Sequence, residues 1–217
     1  FIKYKLFTKE VELSDAQTLR NLSEIQPKEI LKTTFKKAID ELTVTDKGTA
    51  EVKNYISLKL SKPKIAENQP FIVPKKSVFN KIIGDNPFEL EFASFLESRF
   101  DDVVSYAKNT MGEGGINFKI EYQAQDGNIR EYYPDFFVKT NDKTFYIVET
   151  KGREDLDDIR KIQRLFVWCK DINTAQKEYT YSPVYIKQEK WEDIKNDFKS
   201  FAEVVKIFTV TENKESK

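Results

Sequence analysis

Between Ile116 and Lys151 the chain carries three strand-like runs in succession, and the last of them constrains the fold most. The runs are Ile116–Gln125, Arg130–Thr140 and Thr144–Lys151. Asp126-Gly127 reads as a tight hairpin turn between the first two, and Asn141-Asp142-Lys143 as a turn between the next two. The third run contains Phe145-Tyr146-Ile147-Val148, apolar at every position instead of at every second one. Such a strand has no solvent face, so helices must cover both sides of its sheet. The surrounding pattern supplies them. One helix is expected from Pro87, suited to a first helical position, to about Ala107. A second is expected over about Leu156–Asp171, a strand over Tyr181–Lys187, and a last helix over about Trp191–Lys206. The expectation is an α/β domain spanning 76–217, with a mixed sheet in α-β-β-β-α-β-α order.

Residues 1–75 read as a small N-terminal appendage and linker. Residues 1–10 alternate apolar and polar, as a short strand does. Ser14 to about Leu42 is helical in pattern, with Ser14 and Asp15 as caps and Pro27 as a break. Val52–Leu60 alternates again, and residues 61–76, with Pro63, Pro70 and Pro74, read as a connector. The chain opens without an initiator Met or an apolar leader, so it is expected to be a piece of a longer, cytoplasmic protein. No apolar run approaches the ~18–20 residues of a membrane span, and a membrane is not an expected partner.

Histidine is absent and cysteine occurs once, at Cys169. Disulfide frameworks, zinc sites and Ser-His-Asp or Cys-His catalysis are therefore excluded for this chain. No GxxxxGK[ST] or GxGxxG loop is present for a nucleotide. Lys+Arg and Asp+Glu are 36 each, so attraction to nucleic acid has to come from a local patch. Chemistry here falls to carboxylates, lysines and a hard, oxygen-seeking metal.

The second and third strand runs hold such a group. With Thr140 opposite Thr144 across a three-residue turn, Asp135 falls opposite Glu149. Side-chain alternation puts Glu149 and Lys151 on one face. Two directly opposed carboxylates repel unless a cation sits between them, and all-oxygen ligation with open water positions suits Mg²⁺. A neighbouring lysine can orient an attacking water and stabilise charge on a phosphate. Glu-x-Lys alone carries little weight, because about six acid-x-base triplets arise by chance at this composition. The weight lies in the combination of Pro134-Asp135, the turn, and Glu149-Thr150-Lys151. The bland reading, a solvated pair of edge acids bonded to Lys139 and Lys151, fits the apolar flanks poorly.

This arrangement resembles the PD-(D/E)xK nuclease superfamily. More narrowly, residues 77–191 resemble the C-terminal endonuclease domain of type III restriction enzyme Res subunits. The resemblance rests on Phe88-Glu89, Lys108-Asn109, Tyr132-Tyr133-Pro134-Asp135-Phe136, Glu149-Thr150-Lys151-Gly152-Arg153-Glu154-Asp155, and Trp168-Cys169. It covers about half the chain. It implies a restriction-endonuclease-like core and Mg²⁺-dependent (Mn²⁺ able to substitute) hydrolysis of duplex DNA in defence against foreign DNA. Asp135 and Glu149 would hold the metal, with the Thr150 carbonyl as a third ligand, and Lys151 would position the water. It also implies an ATP-driven helicase or translocase region N-terminal to this piece and a Mod methyltransferase subunit that recognises the sequence. ATP would act only in that motor region.

The superfamily often adds an acid from its first helix, and Glu89, Glu91 and Glu97 compete for that role. By helical geometry Glu89 lies ~50° from the centre of the apolar stripe, Glu91 ~110° and Glu97 ~130°. Glu89 is therefore preferred, against the alternative of an exposed first-turn acid favoured by the helix dipole. Arg153, Lys161 and Gln163 are candidate contacts to the DNA backbone, and a solvated helix face is the competing reading for the last two. Asp155, Asp157 and Asp158 read as helix N-terminal charges. Tyr132 and Tyr133 are either core residues or stacking platforms, and Cys169 a buried apolar residue. Two other functions stand beside the first: a catalytically silent DNA-binding or scaffolding module of the same fold, and another enzyme of the superfamily such as a resolvase or repair nuclease.

Overall fold

The computed structural model describes residues 1–45, 50–66, 68–140 and 143–211. They fall into two units, Phe1–Gly48 with Gln123–Ile129, and Thr49–Tyr122 with Arg130–Lys217. In the smaller unit, Ile2–Leu6 is a π-helical turn, not the expected strand. An alternating segment becomes a strand only where a neighbour supplies a ladder. Here Lys5 and Leu6 donate back to the Phe1 carbonyl instead. Helix α1 (Ala16–Leu22) is capped by Asp15, which accepts the Thr18 N–H at 2.8 Å. Helix α2 (Ile25–Thr45) contains Pro27 in its first turn, where a missing N–H costs nothing. The break therefore falls at Ser23-Glu24, before the proline.

In the larger unit, the strand expected over Val52–Leu60 does not form, and only Leu58–Leu60 is regular, as a 3₁₀ turn. Tyr55 and Leu60 are exposed, so the alternation there marks no buried face. Two short strands, β1 (Phe71–Ile72) and β2 (Ile82–Ile83), pair antiparallel, the first inside the expected connector. Helix α3 spans Pro87–Ser98 and stops short of the expected end near Ala107. The chain turns at Asp101-Asp102 and continues as strand β3 (Val103–Lys108). Phe100, Val103 and Ala107 sit at helical spacing and are all buried, which is why the pattern misleads. Asp102 is fixed in that turn by accepting the N–H groups of Phe201 and Ala202, both at 2.8 Å.

The run expected over Arg130–Thr140 is two strands. Strands β4 (Ile120–Gln123) and β5 (Ile129–Tyr132) form a separate hairpin, while β6 (Phe136–Thr140) belongs to the main sheet. Pro134 lies between them and has no N–H for a ladder. The hairpin closes through the Gly127 N–H on the Ala124 carbonyl at 2.9 Å, with Gly127 at φ +81°. The loop is thus three residues ending in a left-handed glycine, not a two-residue turn.

Strand β7 (Thr144–Lys151), helix α4 (Asp158–Ala175), strand β8 (Thr180–Lys187), and helices α5 (Gln188–Ile194) and α6 (Phe201–Phe208) complete the unit. The last two replace the single expected helix, and Ser200 caps the second by accepting the Glu203 N–H. The main sheet runs β3-β6-β7-β8, antiparallel except for the parallel β7–β8 pair. Of the turn expected at Asn141–Lys143, residues 141 and 142 lie outside the described residues. The register either side agrees with it, with Phe136 opposite Val148 and Lys139 opposite Phe145.

Helices cover both faces of this mixed sheet. On one, Phe136 meets Phe92 of α3 edge-on at 5.5 Å between ring centres. Trp191 of α5, fully buried, packs there against Phe92, Phe95 and Phe198. On the other, Phe137 packs on Phe118, which packs on Trp168 of α4. Among the described residues no helix is long and apolar enough to cross a membrane.

Candidate functional site

The register brings one end of every sheet strand together. Lys108 ends β3 opposite Phe136, the first residue of β6, while Lys151 ends β7 opposite Lys187 at the end of β8. The N-termini of α3 and α4 meet them there. Glu89, Asp135, Glu149, Thr150, Lys151 and Arg153 line one cleft of about 510 Å³, with Asn86 and Gln188 completing its wall.

Asp135 directly precedes β6, and the ladder carried one residue further sets it against Glu149. Its N–H donates to the Val148 carbonyl and its own carbonyl accepts the Asn109 N–H. The buried Asn109 side chain donates to the Pro134 and Phe118 carbonyls, both at 2.8 Å, and so fixes the Pro-Asp backbone. Oδ2 of Asp135 accepts two bonds from Thr150, the N–H at 2.8 Å and Oγ1 at 2.6 Å. Oδ1 faces the Lys108 ammonium at 3.3 Å.

Glu149 is partly buried and receives the Tyr132 hydroxyl at 3.0 Å on Oε2. Burial, then the charge of Asp135, pushes its carboxyl well above the ordinary carboxylate range. Burial, then the charge of Glu149, raises the Tyr132 phenol. Tyr132 is thus a core residue whose hydroxyl orients Glu149. Tyr133 donates to Glu131 at 2.6 Å.

Glu89 is 4% exposed. It stands third in α3 and closes a capping box, since the Asn86 side chain accepts the Glu89 N–H while Glu89 accepts the Asp85 N–H and the Asn86 amide. Its Oε2 lies 3.1 Å from Lys108. Burial and Asp135 raise its carboxyl, and Lys108 opposes them. Glu91 pairs with Lys195, and Glu97 accepts the Lys75 and Lys76 N–H groups and the Tyr106 hydroxyl. Of the three competing first-helix acids, Glu89 is the one that lines the cleft.

Lys108 is just as buried and pairs with Asp85, Glu89 and Asp135 within 3.1–3.3 Å. Burial by itself would lower its pKa; Asp135, Glu89 and Asp85 outweigh this and raise it, so the group is a fixed cation. Lys151 is drawn to the opposite side of the cleft. It pairs with Asp158 Oδ1 at 2.9 Å and with Asp155 at 3.4 Å. Asp158 also accepts Lys161 at 3.1 Å and the Asp155 N–H at 2.7 Å. Burial would lower the Lys151 pKa, and the hydrogen bond and charge of Asp158 raise it. Asp155 is depressed to about 2, burial opposing and the Lys161 hydrogen bond, the Asp157 N–H and Lys151 prevailing.

The structure thus brings together Asp135, Glu149, Thr150, Lys151, Glu89 and Arg153. Arg153 is exposed. Lys161 joins through Asp155 and Asp158, whereas exposed Gln163 does not line the cleft. Cys169 is buried, and burial pushes its thiol up to about 12. The sequence reading did not assign Lys108, Asp158 or the Tyr132 hydroxyl to the site. Lys108 enters that reading only among the residues that carry the resemblance, Tyr132 there and as a core or stacking residue, and Asp158 only as a helix N-terminal charge.

Set against known proteins, the chain matches no family model, no curated protein and no solved structure. The cleft's own chemistry has to carry the functional reading. Its donor set fits a hard divalent cation. Asp135 and Glu149 are partly buried carboxylates set against each other by the β6–β7 register. Among the described residues no three Asp, Glu, His or Cys side chains form a ready-made cage. Two carboxylates with several water positions suit Mg²⁺, which keeps much of its hydration.

Proposed function

We propose that the larger unit is a Mg²⁺-dependent endonuclease domain that hydrolyses phosphodiester bonds of duplex DNA. The observation that carries this reading is the convergence of Asp135, Glu149 and Lys151 in one cleft at the carboxyl ends of two parallel strands. Asp135 and Glu149 would hold the cation, with the Thr150 carbonyl as a third donor. When bound, Mg²⁺ (or Mn²⁺) would supply Lewis acidity to the scissile phosphate.

The chain's own residues have distinct tasks. Lys151 is held as a cation by Asp158, so it orients the attacking water and neutralises charge developing on the phosphate, and takes no proton itself. Tyr132 fixes the Glu149 carboxylate, and the Asn109 and Thr150 bonds fix Asp135. Arg153 faces incoming backbone, and Lys161 supports Asp158. The water oxygen bonds to phosphorus as the bond to the 3′ oxygen breaks; the attacking water gives a proton to solvent and the 3′ oxygen takes one from solvent, leaving a 5′-phosphate and a 3′-hydroxyl. The wider setting proposed from the resemblance is a type III restriction system, in which a motor region of the same polypeptide and a Mod subunit supply DNA to this domain.

One observation favours a second reading, a catalytically silent DNA-binding or scaffolding module. Lys108 already neutralises the Asp135 and Glu89 carboxylates from within. Nicking of supercoiled plasmid with Mg²⁺ or Mn²⁺, beside Asp135→Ala and Lys151→Ala, separates the two. Cleavage lost in both variants is expected. Absence of both cleavage and calorimetric Mn²⁺ binding in the parent would refute the nuclease and leave the scaffold.

A further inference from the structure

Asp135 has one oxygen already committed. Its Oδ2 accepts both the N–H and the hydroxyl of Thr150, so Oδ1 is the oxygen left for an incoming cation. The Lys108 ammonium stands 3.3 Å from that Oδ1. The same ammonium lies 3.1 Å from Glu89 and 3.3 Å from Asp85, and its side chain is 4% exposed. It also sits over the Phe136 ring, 5.5 Å from the centre. A positive charge there opposes any second cation at Asp135, because attraction and repulsion act over the same few ångströms with little water to screen them. The ammonium nonetheless has somewhere to go. Asp85 is 63% exposed and lies on the outer side of the trio, so a shift toward Asp85 and Glu89 leaves Lys108 paired.

We infer that Lys108 is an internal counter-ion that occupies Asp135 until a divalent cation displaces it toward Glu89 and Asp85. Lys108 is then a positioning residue that sets the cation concentration at which the cleft becomes competent, and Glu89 serves as its anchor. This rests on the metal-dependent reading of the cleft.

The test is calorimetric titration of Mn²⁺ into the full chain, Lys108→Met and Asp135→Ala. Lys108→Met should bind at least about tenfold more tightly than the parent, the factor that corresponds to one pKa unit of charge coupling. Asp135→Ala should lose binding. Equal or weaker binding by a folded Lys108→Met overturns the inference while leaving the metal reading intact. No binding by the parent or by Lys108→Met overturns both. Should Lys108→Met fail to fold, the parent itself decides. The Lys108 ammonium resonance, followed by NMR during a Mg²⁺ titration, should move in step with calorimetric saturation. A resonance unchanged at saturation overturns the inference.

Discussion

Asp158→Asn keeps the shape of the side chain and removes its charge. The carboxylate it replaces is 3% exposed and holds Lys151 at 2.9 Å, Lys161 at 3.1 Å and the Asp155 N–H at 2.7 Å. Breaking a fully buried ion pair from one side costs roughly 3–5 kcal/mol. Here both ammonium groups retain 18–19% exposure and keep Asp155 as a partner. The cost therefore falls to about 2 kcal/mol, or ~4–8 °C in melting temperature for a unit of this size. The pH dependence has a definite sign. The folded pKa of Lys151 is raised, so its contribution is fully present below the ordinary lysine value of ~10.4 and is lost as pH rises through the raised value. Parent and variant should differ at pH 7–9 and converge in strongly alkaline solution. In the variant, burial of Lys151 is opposed by Asp155 alone, and its pKa should fall. Thermal denaturation across pH and NMR titration of Lys151 measure both quantities. A melting temperature within about 1 °C of the parent, with an unmoved Lys151, would refute the claim that Asp158 holds this lysine in place.

Glu149→Gln is expected to stabilise the fold at neutral pH, because burial and Asp135 disfavour the ionised carboxyl, while abolishing Mn²⁺ binding. With its folded pKa raised, the Glu149 contribution is fully present below the unfolded value near ~4.3 and is lost as pH rises through the folded value, so urea titrations at pH 4 and pH 7.5 should show the larger gain at the higher pH. Cys169, 2% exposed with its thiol raised to about 12, should resist an aromatic disulfide reagent in the native state and react at once in denaturant; rapid native labelling counts against the packing described.

The parts of the fold that local chemistry dictates were legible in the sequence. The turn before Thr144 implied the register that pairs Phe136 with Val148, and with it the approach of Asp135 to Glu149. Pro87 marked the start of α3, and the geometry of its apolar stripe preferred Glu89 to Glu91 and Glu97. Errors arose where one spacing serves two structures. Phe100, Val103 and Ala107 fit a helical stripe and yet belong to a turn and a strand. Residues 1–10 and 52–60 alternate without gaining ladder partners that would make them strands. The ion pairs of the cleft were illegible for another reason. Lys108 meets carboxylates 23 and 27 residues away, and no periodicity encodes such a meeting.

Those ion pairs decide how the cleft treats a nucleic acid. Around it stand Asp85, Glu89, Asp135, Glu149, Asp155 and Asp158 against Lys108, Lys151, Lys161 and Arg153. Acids outnumber bases, and three of the four bases are already engaged. A phosphodiester brought to this wall meets repulsion of the order of kilocalories per mole at contact distance. Phosphate contacts supply most non-specific affinity for DNA, and a chain of zero net charge adds little at long range. If the cleft acts on DNA as proposed, a divalent cation would make it attractive to the phosphate as well as reactive toward it. On that reading the cation offsets the surplus of acids, so binding of cation and of DNA should reinforce each other. On the proposed metal-dependent nuclease reading, the domain is expected to leave DNA intact until cation and DNA are delivered together.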